Sequence, residues 1–519
     1  MTLQLSGLRH NTTVAILVGT LFTALWVALT WRYGFDLADE GYYWYGAQRM
    51  VHGDMPMRDF MAYDIGRYAW TAGVMQLLGE TGIVGARVGA ALYQGFSVVI
   101  GVWLALRALD GKLTGRSKIL FAFVVALILN LWVYPYYKVF DYGTSIIVVA
   151  MLVMMLTCRS AKRWFAAGVV LGLAAIIGRN HGVYGALAAS MLLCFLIFKQ
   201  RSAGSLLRPA LAFMAGTLAG FSPTFVLCAL VDGFAAGLIA SIIDLIDSGA
   251  TNIALPVPWP WTVDRAKIGW LLWAMGVMQG LGFIAIIVLP FMAICAVVRR
   301  PLEHFSASDA LMLCASFAGL AYAHYAYSRA DLIHLALAVA PLMLLVLVAG
   351  ARYAGVALTS VVVLGVSVIM LTPEKPMLAK LILKKTLASI SVNGSALYVF
   401  PGVDVRLREV EQVFTTLPHT RDNFLAIPDS PALYAIYEKR MPIWEIYSLS
   451  TRNAAFEAPE LARLKEAAPE VVFLSDHALD SKPELRYSRT HPVLHQWITD
   501  NYRPPIGSMQ PTSFQVFVK

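Results

Sequence analysis

The sequence predicts a polytopic α-helical membrane protein with a small C-terminal α/β domain. Of its 519 residues, 58% are apolar and only 14% are charged, whereas soluble domains carry about 25% charged residues. Apolar runs of about 20 residues, the length that crosses the hydrocarbon core, recur from Thr13 to Thr372. After Pro373, charged residues become frequent and the apolar runs shorten to strand length. The chain therefore divides into a membrane domain, 1–375, and a polar domain, 376–519.

Eleven apolar segments are predicted to span the membrane. They are residues 13–31, 85–106, 119–133, 143–158, 164–178, 182–198, 209–231, 268–298, 309–326, 332–350 and 353–372. The eighth is long for one span, which predicts a tilt or a kink. No clear small-residue cleavage site follows the first run, so we expect a retained span and not a removed signal peptide.

Lys and Arg cluster in alternate connections, and this asymmetry predicts the orientation. The basic connections hold Arg107, Lys112, Arg116 and Lys118; Arg159, Lys162 and Arg163; Lys199, Arg201 and Arg208; Arg299 and Arg300; and Arg352. We place these in the cytoplasm of a bacterial inner membrane, with the N-terminus inside and the polar domain in the periplasm. The net charge of +9 is concentrated in the membrane domain, so it indicates orientation and not a nucleic-acid partner.

Three periplasmic loops, 32–84, 134–142 and 232–267, contain most of the candidate functional residues. The first is expected to be helical near Asp39–Val51 and again near Tyr68–Leu78. In the third, prolines alternate between Leu255 and Trp261 and exclude regular helix.

The polar domain mixes helix and strand signals. Its predicted elements are a helix at Val405–Leu417, strands at Asn423–Ile427 and Glu470–Ser475, a helix at His491–Tyr502 and a final strand at Ser513–Val518. Tyr434, Trp444 and Tyr447 are aromatic candidates for sugar contact, although aromatic residues in a small domain are more often core.

An acidic pair, Asp39-Glu40, follows the first span. Two adjacent carboxylates at a membrane surface repel each other and are costly to desolvate, so one is expected to have a raised pKa and to accept a proton from an attacking hydroxyl. The alternative is a solvated helix start, because acidic residues are favourable at the helix N-terminus. The pair could also bind a divalent cation.

Together, the first span, this outer acidic pair, the surface helices and the turn Gly53-x-x-Pro56-x-Arg58-Asp59-Phe60 resemble the C-type glycosyltransferase superfamily. Similar proteins include protein O-mannosyltransferases and the aminoarabinose transferase of lipid A. The resemblance implies a polytopic enzyme that uses polyprenyl-phosphate sugars, with Asp39 as catalytic base and Glu40 beside it. It also makes Asp36, Tyr42, Arg58 and Asp59 candidates for the acceptor side of the loop.

The resemblance further suggests a second acidic residue in loop 134–142, and Asp141 matches it, with Lys138 as a possible phosphate contact. Arg179 and His181 lie between two predicted spans that have almost no connecting loop. A cation held there needs an anionic partner, such as a lipid phosphate. Headgroup snorkelling is the alternative.

Between the ninth and tenth predicted spans, Arg329 and His334 flank Asp331. They are candidates for the donor phosphate site, and the alternative is that Arg329 simply pairs with Asp331. The Asp331–His334 spacing places both side chains on one helix face.

The predicted function is that of an inverting hexosyl- or pentosyltransferase. It would move a sugar from a polyprenyl-phosphate carrier to a periplasmic glycan, lipid or protein in cell-envelope biosynthesis. No cofactor is required in principle, although a divalent cation is possible; no metal site is predicted. Two alternatives stay open: a transporter or flippase for a lipid-linked saccharide, and a non-catalytic assembly subunit, in which Asp39 could be changed freely.

Overall fold

The computed structural model describes residues 5–200, 204–247, 252–505 and 513–519. Arg201 of a basic connection and residues 248–251 of the third predicted periplasmic loop lie outside the described residues. The chain divides into two compact units. The helical unit comprises Met1–Thr30, Ala90–Leu230 and Ala250–Leu378, and the mixed unit comprises Trp31–Gly89, Val231–Gly249 and Ala379–Lys519. The polar tail therefore shares its unit with residues 31–89 and 231–249.

The first sixteen α-helices of the described chain are α1 (Leu5–Thr30), α2 (Asp39–Val51), α3 (Gly66–Leu78), α4 (Ile83–Ala108), α5 (Gly115–Leu131), α6 (Val139–Thr157), α7 (Ala161–Ile177), α8 (Arg179–Gln200), α9 (Gly204–Leu230), α10 (Phe234–Asp247), α11 (Arg265–Val298), α12 (Ala307–Ser328), α13 (Leu332–Ala338), α14 (Ala340–Tyr353), α15 (Val356–Leu371) and α16 (Pro376–Ile382). The predicted loop helices near Asp39–Val51 and Tyr68–Leu78 are confirmed as α2 and α3. The segment from Leu255 to Trp261 is non-helical, as its prolines predict.

All eleven predicted spans fall on helices, and the chain is a multi-pass membrane protein. By length and apolar composition, six helices in the described parts of the chain are able to cross a membrane: His10–Thr30, Ile83–Ala108, Tyr136–Thr157, Arg179–Gln200, Gly204–Leu230 and Gly269–Val298. Two bent helix pairs raise the number to eight. The predicted count of eleven is higher, partly because α5 and α7 have only 17 residues each, near the lower limit for a span.

The predicted single span 332–350 is wrong in detail, because it is broken into α13 and α14 with a bend of 63°. Pro341 lies at the start of α14, and a proline lacks the N–H that would continue the helix. For the eighth span, where a tilt or a kink is predicted, the backbone is non-helical at Gly269, at the start of the predicted range, and Gly269–Val298 is one candidate span of 30 residues.

Burial separates the central from the peripheral helices. In the apolar stretch of α6, 83% of the residues are buried, whereas in that of α9 only 17% are buried. One side of α9 packs tightly on α7: a Cβ at Gly216 would lie 2.1 Å from the carbonyl oxygen of Phe165. Small residues allow such close backbone contact between membrane helices.

The remaining elements of the mixed unit lie in the tail. They are β1 (Ala388–Val392), β2 (Ser395–Val399), α17 (Val403–Thr416), β3 (Phe424–Ile427), α18 (Pro431–Tyr437), α19 (Ala454–Ala467), β4 (Val471–Leu474), α20 (Tyr487–Thr490), α21 (Pro492–Asn501) and β5 (Gln515–Val518). β1 and β2 form a hairpin, β3 pairs parallel with β4, and β4 pairs antiparallel with β5. All five elements predicted in the tail are confirmed; the hairpin, α18, α19 and α20 were not predicted.

Candidate functional site

The acidic pair begins helix α2, and its two carboxylates have different surroundings. Successive residues of an α-helix point about 100° apart. Glu40 is buried, at 1% exposure, whereas Asp39 is partly exposed. The two acids therefore differ in their access to solvent.

Arg87, near the start of α4, neutralises Glu40. Its Nε and Nη2 donate to Glu40 Oε1 at 3.0 and 2.9 Å. Nη2 also donates to the Gly34 carbonyl oxygen at 2.7 Å, and Nη1 donates to that of Trp31. One buried guanidinium thus fixes both Glu40 and the chain that leads into α2. Sequence reasoning missed Arg87, although an arginine inside an apolar run signals a buried anionic partner.

Burial raises the pKa of Glu40 from 4.5 to about 7, although the charge and hydrogen bonds of Arg87 oppose the rise. Glu40 is the member of the acidic pair whose pKa is raised, as the sequence predicts for one of the two. Because both of its oxygens interact with Arg87, Glu40 is better suited to holding the loop than to accepting a substrate proton.

Asp39 interacts with the tail. The Tyr447 hydroxyl donates to Asp39 Oδ1 at 3.0 Å, so one of the three aromatic candidates lies beside the predicted base. Burial, followed by the charges of Asp39, Asp36 and Asp429, raises the pKa of Tyr447 well above its ordinary value. Tyr447 therefore remains a protonated donor at neutral pH. The other two candidates are structural: Tyr434 is fully buried and stacks on Phe424, and Trp444 Nε1 donates to the Met57 carbonyl oxygen at 3.2 Å.

The remaining candidates of the first loop shape its backbone. Asp36 Oδ1 accepts from the Ala38 N–H at 2.9 Å, which forms the turn before α2. Arg58 and Asp59 form an ion pair of 2.7 Å, and Asp59 also accepts from the Met55 N–H. Burial acts to raise the pKa of Asp59, but these hydrogen bonds outweigh it and hold the pKa below its usual value.

Tyr42 lies one turn after Asp39 on α2 and belongs to an aromatic cluster. Its ring centroid is 5.5 Å from that of Tyr447, 5.7 Å from that of Tyr63 and 6.2 Å from that of Tyr68. Residues three apart on a helix share a face. The predicted base is therefore flanked by tyrosine rings.

A buried ion network supports the tail beside this cluster. Arg452 donates to both oxygens of Asp244 on α10, at 2.8 and 2.7 Å, and to Glu445 at 2.7 Å. His491 Nε2 lies 2.7 Å from the other oxygen of Glu445. Arg452 and Asp244 are 208 positions apart, so spacing in the sequence gave no signal for this contact.

In the helical unit, the structure brings together two predicted site residues, Asp141 and His181. The Tyr325 hydroxyl donates to Asp141 Oδ1 at 2.9 Å, and His181 Nε2 lies 3.4 Å from the same oxygen. His181 Nδ1 is 3.0 Å from the Tyr322 hydroxyl, and the His181 side chain is fully buried. This burial disfavours direct contact of His181 with a lipid phosphate.

The predicted Asp331–His334 pair forms at the start of α13. Asp331 Oδ1 accepts from the His334 backbone N–H at 2.8 Å and lies 2.7 Å from His334 Nδ1. Arg329 Nε donates to Asp331 Oδ2 at 3.0 Å, so the pairing considered as the alternative for Arg329 is present. Arg179 begins α8 and is partly exposed, as is Lys138, which lies over the Tyr137 ring.

The described residues contain no group of three or more His, Cys, Asp or Glu side chains arranged to hold a metal ion. The Asp39-Glu40 pair, considered above as a cation site, has its carboxylates on different partners, Tyr447 and Arg87.

No protein-family model and no curated protein sequence matches this chain. Among solved structures, the chain is similar to the archaeal oligosaccharyltransferase AglB from Archaeoglobus fulgidus in complex with an inhibitory peptide and a dolichol-phosphate. That match covers 94% of this chain and 72% of the other, with 12% identity and a TM-score of 0.40. A second structure is the oligosaccharyltransferase of the same organism tethered to an acceptor peptide containing the NVT sequon via a disulfide bond. It covers 98% of this chain and 74% of the other, with 12% identity and a TM-score of 0.37.

Proposed function

We propose that this chain is an inverting glycosyltransferase that moves a sugar from a polyprenyl-phosphate carrier to an acceptor hydroxyl in the bacterial periplasm. The observation that carries the proposal is that the two carboxylates of the acidic pair differ in burial and in hydrogen bonding. Glu40 is buried on Arg87, whereas Asp39 is partly exposed and hydrogen-bonded by Tyr447. A carboxylate that is held in place by a hydrogen bond and is still accessible is what a general base requires.

In the proposed reaction, the acceptor oxygen forms a bond to the anomeric carbon of the donor sugar. The bond from that carbon to the phosphate oxygen breaks, and the lipid phosphate leaves with the electron pair. The acceptor proton passes to Asp39. Attack opposite the leaving group inverts the anomeric centre, and a positioned base contributes about 10²–10⁴-fold.

Negative charge develops on the leaving phosphate in the transition state, and cations stabilise it. We propose Arg179 and Arg329 for this role, with Lys138 as a further phosphate contact. Arg329 is oriented by Asp331 and by the carbonyl oxygen of Ile253, at 3.1 Å from its Nη1. His334 holds Asp331 and so acts on Arg329 indirectly. His181 lies beside Asp141 and is proposed to position it without contacting the phosphate.

Replacing Arg179 or Arg329 by Ala is expected to weaken donor binding by about tenfold or more, because a charge-assisted hydrogen bond is lost. Lys at either position should restore binding only in part, since a point charge replaces the bidentate fork. The measurement is binding of undecaprenyl-phosphate hexoses and pentoses to the protein in nanodiscs. Arg116→Ala, in a predicted cytoplasmic connection, is the matched control. Donor affinity unchanged in both variants would remove the two arginines from the donor site.

A reporter fused after Pro373 is expected to be active only in the periplasm. The reason is the distribution of Lys and Arg among the connections, which places the polar tail outside. Alkaline phosphatase and green fluorescent protein fusions at the same position report opposite sides. Fluorescence without phosphatase activity would show the opposite orientation, in which Asp39 has no access to a periplasmic acceptor.

A transporter or flippase is the second candidate, and one observation favours it. Asp141, His181 and Tyr325 form a buried polar group in the helical unit, and ionisable groups among membrane helices often mark a transport path. The two functions separate in proteoliposomes. A transporter moves the lipid-linked saccharide between leaflets without consuming it, whereas a transferase consumes the donor and releases the lipid phosphate.

A further inference from the structure

Helix α10 of the mixed unit has one tightly packed face. Phe234, Gly237, Ser241 and Asp244 follow one another at intervals of three or four residues and therefore share a face. Phe234 is fully buried. A Cβ at Gly237 would lie only 2.7 Å from the Met57 carbonyl oxygen, and the Ser241 hydroxyl lies 3.9 Å from the Met57 sulfur. The first half of α10 is thus held directly against the loop 32–84.

An ion pair holds the far end of the same face. Arg452 donates to both oxygens of Asp244, at 2.8 and 2.7 Å, and also to the buried Glu445. The Arg452 side chain is itself buried. Because the packed face is fixed near both ends of the helix, the opposite face of α10 is fixed as well.

That opposite face is exposed and wholly apolar. It consists of four isoleucines at the spacing i, i+3, i+4 and i+7, which lie on one side of an α-helix: Ile239, Ile242, Ile243 and Ile246. Their exposed fractions run from 41% to 70%. A continuous exposed apolar patch of this kind marks a surface that contacts a protein or a membrane.

Helix α17 of the same unit shows what a water-facing helix looks like here. It has 14 residues, as α10 does, and it too buries one face. Its exposed face has the same i, i+3, i+4, i+7 spacing, but every member is polar: Arg408, Glu411, Gln412 and Thr415. The contrast indicates that the exposed face of α10 meets an apolar medium.

The chain itself places α10 close to the bilayer. The candidate span α9 ends at Leu230, and only residues 231–233 separate it from α10. Residues 209–230 contain no charged side chain and extend for about 33 Å at the helical rise, which matches the hydrocarbon core of about 30 Å. The link from Leu230 to Phe234 reaches at most about 15 Å. The isoleucine face therefore begins near the edge of the membrane.

The charge of this segment determines which kind of membrane contact it suits. Residues 231–247 contain Asp232, Asp244 and Asp247 but no Lys or Arg. Helices that bind through anionic headgroups carry clusters of Lys and Arg. Attraction to anionic lipids thus contributes nothing to α10, and burial of the isoleucines is the available driving force.

We propose that α10 is a membrane-interface helix whose isoleucine face inserts among the acyl chains of the bilayer. Such a helix lies in the plane of the interface with its apolar side about 5–10 Å below the headgroup boundary. Through Met57 and Arg452, the insertion of α10 attaches the loop 32–84 and the tail to the bilayer surface. This inference is independent of the proposed function, because it requires neither a sugar donor nor an acceptor.

The test is photo-cross-linking of the full-length protein in nanodiscs. The photoreactive residue p-benzoylphenylalanine replaces Ile243 or Ile246 on α10, or the matched Gln412 or Thr415 on α17. All four positions are exposed, so the replacement does not enter the core. After irradiation, the mass of the intact protein reports any phospholipid adduct. We expect adduct yields on α10 to exceed those on α17 by about tenfold or more.

The yields on α10 should be equal in phosphatidylcholine nanodiscs and in nanodiscs that also contain phosphatidylglycerol, because the contact is apolar. Equal yields on α10 and α17, or adducts that require the anionic lipid, would overturn the proposal. A doubled protein mass would assign the face to a second copy of the chain, and an adduct with a polyprenyl lipid in place of phospholipid would assign it to that lipid. Either result would also overturn the proposal.

A second measurement needs no photoreactive residue. Ile239→Gln/Ile246→Gln is expected to speed backbone hydrogen exchange of α10 in nanodiscs by about tenfold, while exchange in α17 stays unchanged. Glutamine has a higher helix propensity than isoleucine, so faster exchange would report the loss of lipid contact and not a weaker helix. Unchanged exchange in α10 would contradict insertion of the isoleucine face.

Discussion

Asp39→Asn is expected to lower turnover by roughly 10²-fold or more while donor binding persists. The asparagine still accepts the hydrogen bond from Tyr447, so the local geometry is retained, but its amide does not take the acceptor proton. The measurement is consumption of the lipid-linked donor over time by purified protein in nanodiscs, together with donor affinity. Glu40→Gln should have a smaller effect, because Glu40 interacts with Arg87 and not with the substrate side.

Asp110→Asn, in a predicted cytoplasmic connection, is the control, and its turnover should match that of the intact protein. Near-normal turnover by Asp39→Asn would remove Asp39 as the base. Asp36 or Asp141 would then inherit the role. If their Asn variants were also fully active, the transferase would lose its catalytic centre and the transporter alternative would lead.

Arg87→Met is expected to reduce the free energy of unfolding by about 3–5 kcal/mol, because it leaves a buried carboxylate without its partner. The measurement is unfolding in detergent by heat or by titration with dodecyl sulfate. Arg408→Met is the matched control: the Arg408 side chain pairs with Asp404 in the same unit but is itself 73% exposed, so about 0–1 kcal/mol is expected. Equal stability of the two variants would contradict the importance of the buried pair.

The effect of Arg87→Met should increase with pH. Burial raises the pKa of Glu40 to about 7 in the intact protein, and Arg87 limits that rise, so the pKa rises further in the variant. An acid whose folded pKa is raised loses stability as pH increases from the unfolded to the folded value. In the intact protein this loss ends near pH 7, whereas in the variant it continues above pH 7. The double variant Glu40→Gln/Arg87→Met should recover most of the loss at high pH.

The sequence predicted most of the architecture because its signals are local. The length of the apolar runs located all eleven helical segments, and the spacing of apolar residues located the five tail elements. The count of spans was less reliable, since Pro341 breaks one predicted span and two helices are short. The β1–β2 hairpin was missed because two five-residue strands give little periodicity.

The candidate site was only half visible in the sequence. Asp39 and Glu40 were recognised as a pair because they are adjacent, yet adjacency does not say which acid is buried. Arg87 decides that point from 47 positions away, and Tyr447 orients Asp39 from 408 positions away. No local pattern encodes such contacts.

By itself, the sequence determined the class of protein, its helical segments, the expected orientation and the acidic residues of the first loop. Composition, hydropathy and charge asymmetry are properties of short segments, so they can be evaluated without knowledge of the fold. The tertiary structure alone decided the assignment of roles. It buried Glu40 on Arg87, brought His181 beside Asp141, paired Arg329 with Asp331, and placed the Tyr447 hydroxyl on Asp39. These outcomes depend on which distant segments pack together, because burial and proximity fix both the charge state of a side chain and the partners it can reach.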